Sequence, residues 1–339
     1  MEHDHYVIIG NGAAGNRAAD VLREGDPAGR ITLVSGEFFP FYYRHKLRFF
    51  MVGELEEDQL VVRPPSYYQE RGIRLRLGQR VTRVDVESRT LYFKHMEKVR
   101  YTRLLLCSGG RPRLPEVHYA YQQHFTVMHS LSEARKLRER LPRIERLLIV
   151  GGDLVSVRIT ETLLEQGKQV VFVIDQDSFW PLRLTDEMRG EVADNLRQLG
   201  AEVIADDQIC GAEQAGEGYR VSTKGGAEVE CDLIGAFFGL VPDVEWLYSS
   251  GLDIDRGVLV DEHLRASAPD VYAAGDCAQV YNPAINNYWV SIGWENARKL
   301  GEVAARNVLG GSEEATTPPE SALSFEGITV NTSWWRLFD

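Results

Sequence analysis

The sequence is short of everything that builds a metal centre, a redox disulfide or a membrane span. Its four cysteines, Cys107, Cys210, Cys231 and Cys277, lie far apart and form no CxxC pair. That excludes a zinc knuckle, an iron-sulfur cluster and a short-loop redox disulfide, and all four are expected to be small buried residues. The eight histidines show no HxxH or HExxH spacing, so no metal site is expected. No apolar run approaches the length of a bilayer crossing, so no membrane span is expected. Met1 to His5 lacks the basic start and apolar stretch of a secretory signal, and a cytoplasmic location is expected. Positive charge is also scarce: 38 Lys and Arg face 50 Asp and Glu, a net charge of -12. Phosphate affinity rests on clustered cations, so nucleic acid is not an expected partner, and an anionic cofactor must be met locally.

What is present is an ordinary globular composition, 44% hydrophobic and 26% charged over 339 residues. This is too long for one comfortable core and suits two interleaved domains, each able to bury a cofactor. Two segments read alike, as strand, glycine turn, helix and second strand ending in an acid. The first has strand Tyr6 to Ile9, helix Ala13 to Arg23 and strand Ile31 to Val34; the second has strand Leu147 to Val150, a helix to about Gln166 and strand Gln169 to Ile174. Each is one βαβ unit, which makes the fold α/β with two Rossmann-like, three-layer nucleotide-binding domains. Between them lie a strand from Tyr101 to Cys107 and a charged amphipathic stretch from Leu131 to Arg146. Later segments read as strands near Tyr219 to Ser222, Glu228 to Leu233 and Val271 to Ala274, then a helix from Trp294 to Leu309.

The first turn is Gly10, Asn11, Gly12, Ala13, Ala14, Gly15, and Glu37 follows at the distance the dinucleotide fingerprint requires. Gly10 permits the tight turn, Gly12 admits a pyrophosphate to the backbone, and Gly15 lets the helix approach the sheet. The helix start offers free N–H groups and a positive dipole end to the phosphates. Glu37 is placed to accept hydrogen bonds from the adenosine ribose.

With these residues assembled, the chain resembles the FAD-dependent pyridine-nucleotide oxidoreductases, in particular the NADH:rubredoxin oxidoreductase and nitrite-reductase flavin-domain branch, over about residues 5 to 310. Tyr101 to Gly109 resembles the family's strand and ATG turn, which brings Ser108 and Gly109 near the FAD pyrophosphate. Val271 to Asp276 resembles the second FAD motif, whose Gly275 and Asp276 hold the ribityl and pyrophosphate region. Phe41 to Leu47 resembles PYxRPxL, which places Arg44 near the dinucleotide. Phe41 and His45 stand where the family has prolines, and Phe49 stands where it has a lysine near the flavin; Lys46 is the candidate substitute. Trp294, Ala297, Gly301, Ala304 and Ala305 resemble WxxAxxQGxxAA, with Leu300 in place of the glutamine. Trp294 is expected either to flank the isoalloxazine or to pack in the core.

The resemblance implies a glutathione-reductase-like fold. Residues 1–115 and 245–310 would form a discontinuous FAD domain and 116–244 an NAD(P)H-binding domain. A linker and short C-terminal segment, 311–339, would stand where relatives carry a larger interface domain. It also implies that the flavin carries the chemistry with no catalytic side chain, and that the acceptor is a rubredoxin or ferredoxin-type protein or a redox complex. An oligomer is possible on the same grounds. The second glycine motif departs from GGGxxGxE: Gly151 and Gly152 remain, while Asp153, Ser156 and Arg158 replace two glycines and the glutamate. Asp153 puts a carboxylate where a pyrophosphate should approach. Asp175 keeps the ribose-binding acid and favours NADH over NADPH. These changes imply weakened NADH binding and raise an alternative, a flavoprotein subunit docked in a larger complex that never meets free nucleotide. Arg71, Arg74, Arg76, Arg80 and Arg83, and separately Trp334, Trp335 and Phe338, are candidate docking patches.

Overall fold

A computed structural model describes residues 4–94, 97–180, 184–284, 286–290, 293–315, 321–325 and 328–332, with side chains up to residue 315. Two five-stranded parallel sheets organise it. The first places Val271–Ala273, Arg103–Leu106, β1 (His5–Ile9), β2 (Arg30–Val34) and Ile73–Arg76 side by side in that order. The second repeats the arrangement with Phe125–Thr126, Leu233–Phe237, Arg146–Gly151, Gln169–Ile174 and Glu202–Ala205. In both, the strand that leads into the glycine turn is the central one. The runs are continuously apolar, as a parallel sheet covered on both faces requires: Val7, Ile8, Leu33, Leu104, Leu105 and Leu106 are all inaccessible to solvent.

Helix α1 (Ala13–Gly25) covers one face of the first sheet through Ala14, Ala18, Ala19 and Leu22, spaced by four and three residues. A meander of Val81–Asp85, Thr90–Phe93 and Lys98–Arg100 covers the other. The second sheet is likewise held between helices and the meander Ile209–Ala215, Gly218–Thr223 and Glu228–Cys231. Each large aliphatic side chain buried this way contributes about 1.5–3 kcal/mol before the entropy of ordering is subtracted.

Several boundaries differ from the sequence reading, each for a local reason. The charged amphipathic stretch is helical only over Leu131–Arg140, because Pro142 forces a short 3₁₀ turn. The segment expected as one strand over Glu228 to Leu233 is two: Asp232 breaks it, its carboxylate accepting from the N–H groups of Glu145 and Arg146, and Leu233 starts a buried strand of the second sheet. Residues 311–315 are not a free linker, since Glu313 N–H bonds Asn307 Oδ1 and Ala315 N–H bonds the Glu262 carbonyl. Ser321–Phe325 and Ile328–Thr332 pair as an antiparallel hairpin. Trp334, Trp335 and Phe338 lie outside the described residues.

Candidate functional site

The first glycine turn is built so that no larger residue fits at two of its three positions. A Cβ on Gly10, whose φ is +117, would lie 1.9 Å from the Cys107 carbonyl oxygen, and one on Gly15 would lie 2.0 Å from the Gly10 oxygen. Gly12 is different: nothing lies within 4 Å of the Cβ position. The space above Gly12 is therefore open, and α1 begins there with no side-chain cap and no acid in its first turn. Its leading N–H groups face that space with the positive end of the helix dipole.

Packing of the helix Trp294–Val308 against α1 brings the distant segment to this turn. Gly301 permits the contact, because a Cβ there would sit 2.2 Å from the Ala14 oxygen. The contact sets Gly275, at φ +77, beside Ala14, with 3.1 Å between the Gly275 Cβ position and the Ala14 Cβ. Asp276 is thereby carried to the mouth of the turn. Its Oδ1 is buried and has no hydrogen-bond partner among the described residues, and burial pushes its carboxyl up to about 7 against the pull of the Gly293 backbone N–H and of Arg44. A buried carboxylate oxygen without a donor is costly, and the ribityl hydroxyls of FAD are donors of the right kind. The open space at Gly12 and this oxygen are two independent marks of a fit to that cofactor.

The raised Asp276 makes flavin-free protein sensitive to pH. A carboxyl whose folded value lies above its unfolded value takes up protons on folding, so stability falls as pH rises from about 4 through about 7 and then levels off. Flavin-free protein should unfold at a higher temperature at pH 5 than at pH 8, and Asp276→Asn should flatten the difference. A wild type whose pH dependence matches that variant would show that Asp276 is not the group responsible.

Around the turn, Glu37 is held on both oxygens. Arg44 Nη2 donates to one, and the Tyr42 hydroxyl donates to the other at 2.7 Å. Arg44 Nη1 also donates to the Tyr42 oxygen and to the His129 carbonyl, at 3.0 and 2.5 Å. Glu37 keeps further lone pairs for a ribose. Burial and the Arg44 charge push His129 down to about 4, so its ring is neutral here. Lys46 lies over the Tyr43 ring at 5.3 Å, and Tyr43 meets Trp294 edge-on at 5.8 Å. Trp294 is 37% exposed, which decides against core packing. Ser108 Oγ donates to the Asp243 carbonyl at 3.0 Å, and Gly109, at φ +73, has open space beside it.

Sequence reasoning missed the brace beneath the turn. Buried Asn16 donates to the Asn11 and Gly12 carbonyls and accepts from the Tyr68 hydroxyl at 2.7 Å. Arg63 reaches the Asn16 oxygens and forks onto both oxygens of Asp20, at 3.1 and 2.6 Å. The one available signal was polar Asn16 on the otherwise apolar buried face of α1.

The second turn follows the same strand-turn-helix path with the opposite content. Gly151 and Gly152 keep left-handed φ values of +92 and +99. Asp153, however, caps the helix Leu154–Glu165: its Oδ1 accepts from Ser156 N at 2.7 Å while Asp153 N donates to Ser156 Oγ at 2.8 Å. Burial holds the Asp153 carboxyl above its ordinary range despite those N–H donors. Asp175 is engaged by Ser178 Oγ at 2.9 Å, Asp177 N at 3.0 Å and Gln208 Nε2 at 3.3 Å. The Phe179 N–H donates to the Gly152 carbonyl at 2.8 Å, folding the segment after Asp175 back onto the turn.

Two expectations are corrected. Cys210 is exposed, sitting where its strand slips register between Ile209 and Gly211; Cys107, Cys231 and Cys277 are buried, with burial raising all three thiols. The arginines from 71 to 83 do not form one docking face. Arg76 is buried and pairs with Glu97, Arg83 lies over Tyr92 at 3.7 Å, and Arg71, Arg74 and Arg76 line a separate cavity.

Two parallel sheets, each presenting a glycine turn at its strand ends, and an open, uncapped helix start facing an orphaned carboxylate define a dinucleotide-dependent oxidoreductase. The chain belongs to the pyridine nucleotide-disulphide oxidoreductase family, whose model matches residues 4–294. It is 28% identical to putidaredoxin reductase of Pseudomonas putida over 319 residues, covering 90% of this chain and 75% of that protein. It is 25% identical to a rubredoxin-NAD(+) reductase of the same species, covering 96% and 85%. Among solved structures, a ferredoxin reductase from Rhodopseudomonas palustris superimposes with a TM-score of 0.84 at 25% identity, covering 92% of this chain and 78% of that one.

Proposed function

We propose that this chain is an FAD-dependent oxidoreductase that passes electrons from NADH to a small iron-containing acceptor protein of the rubredoxin or ferredoxin type. The observation that carries the reading is the pairing of the open Gly12 space with the unpartnered Asp276 oxygen, joined by the Gly301 contact. Gly10, Gly12, Ala13, Ala14 and Gly15 cradle the FAD pyrophosphate; Glu37 meets the adenosine ribose. Ser108, Gly109, Gly275 and Asp276 line the middle of the cofactor, Arg44 lies beside Glu37 along the dinucleotide, and Lys46 and Trp294 lie toward its flavin end. Residues 1–115 and 245–310 form the FAD domain and 116–244 the nicotinamide-nucleotide domain, with Gly110–Pro112 and Leu240–Pro242 paired where the chain passes between them. Bound there, FAD would supply the exchange of a hydride pair for single electrons, which no side chain here can perform.

Gly151, Gly152 and Asp175 form the NADH site, at an affinity lowered by the Asp153 cap. The permanently docked subunit that never meets free nucleotide is not favoured, because relatives over most of the chain are named as NAD(+) reductases. Under anaerobic conditions NADH should bleach the flavin at a rate that saturates only at high NADH concentration. Dithionite bleaching with none by NADH at any concentration would remove NADH from the reading while leaving the flavin site intact.

A further inference from the structure

The strand starts of the first sheet hold a second, unrelated cavity. Its volume is about 460 Å³, within the range of small-ligand sites, and it is lined by His5, Arg23, Arg30, Arg71, Arg74 and Arg76 among others, with no Asp or Glu in the lining. His5 and Arg30 line it at the starts of β1 and β2, a strand length of roughly 16 Å from the glycine turn, while Arg76 lines it from the far end of its own strand, opposite Val34.

Among the described residues most of the charges in this cavity have no ion-pair partner, although the Arg23 charge acts on the Asp26 carboxylate. Arg76 pairs with Glu97. Arg23 is held by backbone carbonyls of Asp26, Pro27, Gly29 and Gly72, with its Nε buried and unpartnered. Arg71 lies over Tyr67, and its Nη1 reaches only the Tyr67 carbonyl. Among the described residues no carboxylate lies within ion-pair distance of Arg23, Arg30, Arg71 or Arg74, although a carboxylate partners most other arginines of this acidic chain. His5 is held by Thr32 at 2.9 Å, and burial with the Arg30 and Arg74 charges lowers its affinity for a proton, so it adds a neutral ring. Like charges gathered without counter-charge repel one another, and guanidinium forks match phosphoryl oxygens two at a time.

We propose that this cavity binds a compact polyanion carrying two or more phosphoryl groups, separately from the dinucleotide sites. A concave pocket of this volume suits a small molecule, not the face of an acceptor protein, and the arginines Arg23, Arg30, Arg71 and Arg74 line it from the strand starts and the segments before them, away from the glycine turn. Arg30 and Arg74 grip the ligand from neighbouring strands, and Arg23 and Arg71 close the rim.

Isothermal titration of the flavin-loaded protein with inorganic tripolyphosphate at low ionic strength tests this. Saturable binding of one ligand per chain is expected. The double variant Arg30→Ser with Arg74→Ser should weaken it by about ten-fold or more with flavin absorbance unchanged, because two charge-assisted contacts are lost. Arg220→Ser, an exposed arginine paired with Glu213 and Glu230, should leave it unaltered. No saturable binding, an undiminished affinity in the double variant, an equal loss in the Arg220 variant, or equal affinity for citrate would each overturn the assignment. ATP binding that is lost in the same double variant would point to a nucleoside polyphosphate as the source of the phosphoryl chain.

Discussion

Substituting Gly12 with valine empties the protein of flavin and leaves its fold in place. The reason is the contrast among the three glycines of the first turn. At Gly10 and Gly15 a side chain would strike backbone oxygens at 1.9 and 2.0 Å, so substitution there disrupts the packing of α1 on the sheet whether or not cofactor is present. At Gly12 a Cβ meets no atom of a residue beyond its chain neighbours within 4 Å. It would instead occupy the space in which backbone N–H groups receive the pyrophosphate, whose charge needs close donors to offset its desolvation. We expect FAD affinity to drop by roughly three orders of magnitude, about 4 kcal/mol, with the far-ultraviolet dichroism of wild-type flavin-free protein. Asp276→Ala should lose flavin for the complementary reason, by removing the acceptor at the other side of the cofactor. Full flavin occupancy in the Gly12 variant would mean that the dinucleotide lies elsewhere.

Asp153→Gly should do the opposite at the second turn, tightening NADH by about ten-fold or more. In the wild type the N–H groups that would meet the nucleotide pyrophosphate already serve the Asp153 carboxylate. A ligand must displace that cap and approach a like charge, which costs about 1–2 kcal/mol or more at close range. Glycine restores the free helix start, and as a cap it costs only a few tenths of a kcal/mol in stability. The flavin-bleaching titration should then saturate at lower NADH, with flavin content unchanged. The wild type has a further signature. Because burial holds the Asp153 carboxyl above its ordinary range, protons neutralise it as pH falls, and NADH should tighten as pH is lowered. The glycine variant should show none of that tightening attributable to residue 153, and parallel pH profiles for the two proteins would clear Asp153 of the role.

The two turns show how far local sequence reaches. Strand, glycines, helix and acid were legible at both, because apolar runs, left-handed φ positions and helical spacing are local properties that residues impose on their own backbone. The loss of two glycines at residues 153 and 156 was legible as well. What they became was not: the capping box of Asp153 and Ser156 is a reciprocal pair of bonds, and its effect depends on the helix start having no other partner.

Tertiary structure alone decided the rest. No spacing in the sequence announces that Gly301 lets one helix settle on the Ala14 carbonyl and so carries Asp276 to a turn some 260 residues earlier. Nor does the row of arginines from 71 to 83 reveal that Arg71, Arg74 and Arg76 join Arg23 and Arg30 around a cavity, and that among the described residues Arg76 alone of these is paired to a carboxylate, Glu97. The sequence by itself determined the α/β class, the two βαβ units and the chemistry available at each turn, since these follow from periodicity and residue type over short spans. Which groups meet, and which are left without partners, was settled by helix packing and sheet order, because close contacts between distant segments depend on excluded volume in three dimensions.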